Sequence, residues 1–207
     1  MKSIKDVCKE LICIINYPHI SETLLKDIKG PVLLHISDTP SEIYNGIFKI
    51  IDILKPQYII HTGDLVDNIK LEVHKDRVNS YCNRVEELVE GLEKNDTKVY
   101  YFMGNHDNYE AICQFTKNGT ILEEGLLKIG DCSFTAGHYH KEYSCKADFN
   151  LYGHSFEPGH YKKDGTIGLN GVLNINIIDL SNKRVFHINY PNCTNRLRRM
   201  ESKKMGL

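Results

Sequence analysis

The chain has 207 residues, a formal net charge of −1, and 41% hydrophobic and 26% charged residues. That length suits one domain able to bury its own core without staples. The near-neutral charge leaves no global footprint for nucleic acid or an anionic membrane, and no stretch reaches transmembrane length. The seven cysteines are odd in number and form no C-x-x-C pair, as expected of reduced, mostly buried thiols. The apolar run Leu11 to Ile15 is too short for a signal-peptide core, so a cytoplasmic protein is expected.

Ile4, Val7, Cys8, Leu11, Ile12 and Ile15 recur at helical spacing until Pro18, and Ser21 can cap a second short helix ending at Gly30. Residues 1–30 are therefore expected as a helical extension. Pro31 to Ser37 is a nearly unbroken apolar run, which suits a strand buried on both faces. Ser41 is the expected cap of a helix carrying Ile43, Ile47, Ile50, Ile51 and Leu54, stopped before Pro56. A second strand at 57–62, a charged helix at 72–94 and a third strand at 98–103 follow. Strands alternating with helices predict a parallel sheet.

Beyond a short helix at 109–115 the pattern turns to strands, at 125–129, 131–136, 149–152, 166–180 and 183–188. Asn182-Lys183 can turn the last two into a hairpin. The expected class is α/β with two sheets and helices outside them. A domain over 31–191 is expected, followed by a basic tail over 192–207. Arg196, Arg198 and Arg199 in that tail read as a solvated, frayed terminus.

In an open α/β sheet, ligands sit outside the carboxyl ends of the strands. The first strand ends in Ser37-Asp38, the second in Gly63-Asp64, the third in Gly104-Asn105-His106-Asp107, and the strand at 149–152 in Gly153-His154. Each glycine is expected to let the chain turn sharply. Carboxylates, a carboxamide and imidazoles on one rim suit Mn²⁺, Fe or Zn²⁺ better than Ca²⁺ or a thiolate zinc. No P-loop, G-x-S-x-G elbow or dinucleotide-binding glycine fingerprint is present.

These blocks, in this order and spacing, resemble the calcineurin-like metallophosphoesterases, in particular their small single-domain bacterial and archaeal members. The resemblance runs from residue 31 to about 190 and rests on Gly104-Asn105-His106-Asp107, Gly63-Asp64-Leu65-Val66-Asp67 and Gly153-His154. It implies a four-layer αββα sandwich of two mixed sheets flanked by helices. It also implies a dinuclear site in which Asp64 bridges two metals, Asp38 binds the first, and Asn105 and His154 bind the second. His106, paired to Asp107, would donate a proton or stabilise charge on phosphate. The cofactor implied is a divalent ion, Mn²⁺ before Fe, Zn²⁺ or Ni²⁺, with one or two ions bound and a small phosphate ester as substrate.

The departures lie at Pro40, Ala136 and Phe156, where the family pattern has histidines; none of the three can ligate a metal. They leave the second-metal side plausible and the first stripped. His138, His140 and His160 are the possible replacements, and His35 and His61 inside strands read as packing. The alternative to an enzyme is a pseudo-phosphoesterase serving as a binding module.

Overall fold

The computed structural model describes residues 17–200. The expected helix through Ile4 to Ile15 lies outside them. The short helix that follows is α1, Glu22–Asp27, and Ser21 caps it as expected, its hydroxyl accepting from Leu24 N at 3.2 Å.

Strand β1, Val32–Ile36, is buried at every position. It pairs in parallel with β2, Tyr58–His61, which pairs in parallel with β3, Lys98–Phe102. Helix α2, Tyr44–Leu54, buries Tyr44, Ile47, Ile50 and Ile51, and ends on Lys55 in the left-handed region before Pro56. Ser41 does not cap it. Residues Ser41–Ile43 form a 3-10 turn, and the Ser41 hydroxyl instead accepts from the Asn68 side chain at 3.0 Å. The second long helix is shorter than expected: α3 runs Val78–Leu92 after a 3-10 turn at Lys75–Arg77, and it buries Tyr81 as well as Val85, Leu88, Val89 and Leu92. Helix α4, Tyr109–Phe115, is capped by Asn108.

The periodicity of the second half finds the strands but not their partition. The run 166–180 is two strands in different sheets. Strand β9, Thr166–Asn170, lies in a five-stranded sheet, and β10, Asn174–Asp179, lies beside β1 in a six-stranded one. The chain crosses at Gly171–Leu173, with Asn170 Oδ1 accepting from Val172 N at 2.9 Å. Two further strands carry too few residues for periodicity to reveal. They are β4, Thr120–Leu122, parallel to β3, and β8, Tyr161–Lys163, in a hairpin with β9. The Asp164-Gly165 turn of that hairpin, with φ of 52° and 87°, is a hairpin signal in the sequence. The remaining strands are β5, Gly125–Ile129, β6, Cys132–Ala136, β7, Phe149–Tyr152, and β11, Arg184–Asn189.

The sheets run β11-β10-β1-β2-β3-β4 and β5-β6-β7-β9-β8, both mixed. Their facing surfaces enclose one core, including Leu33, Ile60, Phe102, Phe149, Leu151 and Leu169, with the Phe134 and Phe149 rings stacked at 5.2 Å. A second core fills the space between the six-stranded sheet and helices α2, α3 and α4. This is the expected α/β class of two mixed sheets flanked by helices. Of the described cysteines, Cys132 and Cys193 are buried, and Cys113 and Cys145 exposed. No described helix is long and apolar enough to cross a membrane.

The tail is packed, not frayed, as far as Arg198. After α5, Thr194–Leu197, the Arg198 side chain is fully buried. It donates to the Asp38, Ser37 and Val172 carbonyls at 2.5, 3.1 and 2.7 Å and lies over the Tyr190 ring. A guanidinium has five donors in a rigid fork, which suits it to collecting several buried carbonyls.

Asp179 anchors the entry to β1. Its carboxylate accepts from Lys29 N, Gly30 N, Ser181 N and the Ser181 hydroxyl at 2.7, 3.2, 2.9 and 2.6 Å. Burial pushes its pKa up, but these donors outweigh it and hold it at about 2. An ordinary aspartate titrates near ~3.9. The folded form thus gains stability that is fully present above about pH 4 and fades as pH falls towards about 2. The urea-unfolding free energy of the native chain should exceed that of Asp179→Asn by a margin that shrinks across this window. A margin constant between pH 5 and pH 2 would count against the assignment.

Candidate metal centre

Five strand ends meet at one rim. From the six-stranded sheet come the loops after β1, β2 and β3; from the five-stranded sheet come those after β6 and β7. They carry Asp38, Asp64, Asn105 to Asp107, His138 and His154. Hydrogen bonds join the two sets, with His138 Nδ1 on the Thr62 carbonyl at 2.8 Å and His154 N donating to Asp38 Oδ2 at 3.0 Å.

Gly63 turns the chain with a φ of 95°, whereas Gly104 and Gly153 act by closeness. A Cβ on Gly104 would lie 2.1 Å from Asp64 Oδ1, and one on Gly153 would lie 1.9 Å from Ser37 Oγ. The left-handed conformations belong to the functional residues themselves: Asp38, Asp64 and His154 have φ of 51°, 55° and 65°. Each such residue costs about 1–3 kcal/mol and persists only where its surroundings hold it.

Asp107 supplies much of that hold. Its Oδ2 accepts from Asp64 N at 2.7 Å and Gly104 N at 2.8 Å. Its Oδ1 accepts from Leu65 N and the Tyr81 hydroxyl, both at 2.8 Å. The pairing of Asp107 with His106 suggested by the sequence is therefore corrected. Both carboxylate oxygens are spent on three backbone amides and a phenol, which stitch the loop after β2 to the loop after β3. The His106 ring instead lies by Glu72, with Nδ1 3.7 Å from Oε2, and its amide donates to Asp64 Oδ1 at 2.9 Å.

His138 is a ligand candidate by geometry. A carbonyl can only accept, so His138 Nδ1 carries the proton toward Thr62, and the lone pair of the neutral ring sits on Nε2. Asn105 Oδ1 is 3.1 Å from that Nε2, His154 Nδ1 is 3.2 Å, and Asp64 Oδ2 is 3.5 Å. Asn105 is oriented by its amide, which donates to Glu72 Oε2 at 2.6 Å and turns the oxygen inward. Two imidazole nitrogens, a carboxylate and a carboxamide oxygen thus converge on one position. This donor set fits a divalent transition metal. Ala136 is no missing ligand in this geometry. It ends β6, buried between the sheets, and His138, two residues later, lies beside Asp64.

The opposite side of Asp64 differs. Asp38 Oδ2 holds the Ser37 hydroxyl at 2.5 Å and His154 N. Among the described residues Asp38 joins no cluster of three ligating side chains; those that form are Asp64 with His138 and His154, and Asp64 with Asp67 and His106. The residues that the resemblance assigns to the second metal, Asp64, Asn105 and His154, lie together with His138, whereas Asp38 stands apart from that group. Pro40 is buried beside the 3-10 turn, and Phe156 is half-buried in the loop after β7. His140 does not replace either. It meets the Tyr161 hydroxyl at 3.3 Å and packs edge-on to Tyr152. His160 accepts from Asn170 N at 3.1 Å and stacks on His187.

Electrostatics mark the same place. Burial, then the charges of Asp38 and Asp107, raise the Asp64 pKa well above the carboxylate range. Burial, then Asp38, pushes Asp67 up to about 8. Such crowding of carboxylates calls for a cation. His35 and His61 are packing residues, their pKa values lowered to about 3 chiefly by burial. Sequence reasoning missed Lys70, Glu72, Tyr81 and Arg198, none of which lies in a motif. The exposed Tyr139 ring, 4.3 Å from His154 and 5.0 Å from His138, covers the rim.

A profile of the family described as calcineurin-like phosphoesterase matches residues 31–199. Among solved structures, the chain is similar to an archaeal phosphodiesterase at 22% identity with a TM-score of 0.54, over 77% of this chain and 99% of that one. It is also similar to Yfce, a phosphoesterase from E. coli, at 15% identity and a TM-score of 0.49, over 78% of this chain and 100% of that one. Vacuolar Protein Sorting 29 from Cryptosporidium parvum aligns at 16% identity and a TM-score of 0.43, over 76% of this chain and 95% of that one. At these identities the likeness to solved structures shows the fold alone. No curated protein matches the chain in sequence.

The clamp role of Asp107 is testable without substrate. An asparagine there must turn its amide toward two of the four donors, so Asp107→Asn should cost about 2–4 kcal/mol in chemical unfolding. It should also weaken Mn²⁺ binding measured by calorimetry, although the residue touches no ligand position. A variant as stable as the native chain would remove the clamp from the argument. By the same logic Arg198→Met leaves buried carbonyls unpaired and should lower the melting temperature by roughly 5–15 °C.

Proposed function

The chain belongs to the calcineurin-like phosphoesterase family, and we propose that it is a metal-dependent phosphoesterase hydrolysing a small phosphomonoester or phosphodiester. The observation that carries this reading is the convergence of Asp64, Asn105, His138 and His154 on one position. Asp64, Asn105, His138 and His154 would hold a divalent ion, Mn²⁺ being our first choice and Fe, Zn²⁺ or Ni²⁺ the others. When bound, such an ion supplies an activated water and charge stabilisation for phosphoryl oxygens.

The chain's own residues supply the rest. Thr62 fixes the His138 tautomer through its carbonyl, and Glu72 fixes the Asn105 amide. Asp107 is a positioning residue that holds the backbones of Asp64 and Gly104. His106 is assigned the donor of a proton to the leaving oxygen. Its side chain is only 12% exposed, beside Glu72. Burial, with Lys70 next, lowers its pKa to about 4, so an unliganded ring is neutral at pH 7. A phosphate dianion against the ring favours its protonated form, which couples the proton donor to the presence of substrate. We assign the protein to the cytoplasm.

The test is hydrolysis of an aryl phosphate and a bis-aryl phosphodiester by Mn²⁺-loaded protein. Chelation should abolish turnover. Loss of a residue that merely supports a metal ligand costs about 10–100-fold, so Asp64→Ala and His138→Ala should each lower kcat/KM by more than about 100-fold. His140→Ala, outside the cluster, should leave it unchanged. Absence of turnover with every divalent metal tried would sink the enzymatic reading and favour a binding module.

A further inference from the structure

A cavity of about 290 Å³ adjoins the proposed metal position. Three segments build it. The end of β3 supplies Phe102 and Met103, which directly precede Gly104 and Asn105. The end of β6 supplies Gly137, His138 and Tyr139. The same two stretches of chain therefore wall the cavity and deliver Asn105 and His138 to the metal position, and His138 belongs to both. The third wall is the connection from β4 to β5. Leu122 pairs with Phe102 in one sheet and Gly125 pairs with Ala136 in the other, so Glu123 and Glu124 span the gap between the sheets here. Glu124 closes tightly against the loop after β6: a Cβ on Gly137 would lie 3.0 Å from the Glu124 Cβ.

From this geometry we infer that the cavity holds the organic group of the substrate, and that this group is an uncharged aromatic ring. This rests on the metal-dependent phosphoesterase reading. The organic group of a phosphate ester is joined to phosphorus through one oxygen, so it must lie in space adjoining the metal. Phe102, Met103, Leu122 and Tyr139 offer aromatic, thioether and aliphatic surface there, which suits a ring. The Tyr139 ring is 50% exposed and lies 5.0 Å from His138 and 4.3 Å from His154, so it borders the cavity and the metal position together. A cavity of about 150 Å³ accepts a benzene molecule, and this one has room for a single or a fused ring. Charge narrows the class further. Glu123 and Glu124 line the cavity and are exposed. Lys141 contacts Glu124 from outside it, and among the described residues no lysine or arginine lines it. A second anionic group on the ring would therefore meet carboxylates with no cation to receive it. An aryl or heteroaryl ester fits, and a polyphosphate or a sugar bisphosphate does not.

The experiment measures binding to the full chain loaded with Mn²⁺, by calorimetry. The probes are methylphosphonate and phenylphosphonate. They share one anionic head and contain no ester bond, so their affinity ratio isolates the ring. Burying a phenyl group in place of a methyl should tighten binding about tenfold or more. Leu122→Glu puts a charge into the wall and should abolish that preference, with methylphosphonate affinity unchanged. Tyr139→Ala, at an exposed position, should reduce the preference about threefold. The native chain should bind 4-carboxyphenylphosphonate more weakly than phenylphosphonate, and Glu123→Gln should recover part of the loss. Equal affinity of the native chain for methyl- and phenylphosphonate would overturn the inference while leaving the phosphoesterase reading intact. So would a phenyl preference that survives undiminished in Leu122→Glu. A carboxylated ring bound as tightly as the bare one removes the uncharged class. If Leu122→Glu fails to fold, the native ratio and Tyr139→Ala decide. A loaded chain that binds neither phosphonate overturns the inference, and if it also hydrolyses no aryl phosphate the phosphoesterase reading falls with it.

Discussion

The rim of this domain depends on one carboxylate that touches no ligand position. Asp107 accepts from Asp64 N, Leu65 N, Gly104 N and the Tyr81 hydroxyl. Loops at the ends of two parallel strands are free to drift unless something joins them. Charge-assisted hydrogen bonds are about twice as strong as neutral ones, and here four of them share a single acceptor. They hold Asp64 in a left-handed conformation and bring Gly104 so close that no side chain fits between. Tyr81 extends the clamp to α3, so helix packing and site geometry are mechanically linked.

A second constraint comes from the far end of the domain. Arg198 collects the carbonyls of Ser37, Asp38 and Val172. These belong to the loop after β1 and to the crossing between β9 and β10. The strained conformation of Asp38 is thus held through its own backbone by a residue 160 positions away in the chain.

The site spans both sheets. Asp38, Asp64 and Asn105 come from one, His138 and His154 from the other. Their separation is set by the apolar core between the sheets, including Phe134, Phe149 and Leu151. Close packing makes such a spacing stiff, since interiors compress little. The divalent ion proposed for this site would bridge the two sheets and stabilise the folded form by mass action.

The sequence by itself determined the α/β class, the three parallel strands and the rim. Apolar runs, helical periodicity and the position of residues at strand ends are local properties, written in consecutive residues. Asp64, Asn105 and His154 were legible for that reason. His138 was one of three histidines that linear spacing could not separate. Only the tertiary structure brings it beside Asp64 and Asn105, where a carbonyl 76 positions away in the chain fixes its tautomer. The same holds for Asp107, read as a partner of its neighbour His106 until its oxygens are seen spent on amides from another loop. It holds for the run 166–180, whose strand pattern cannot state that its halves join different sheets. Lys70 and Arg198 looked like ordinary surface charges, since burial is a property of the packed chain and not of the residue. Sequence specified which chemical groups arrive at the rim; three-dimensional packing decided which of their atoms remain free to bind.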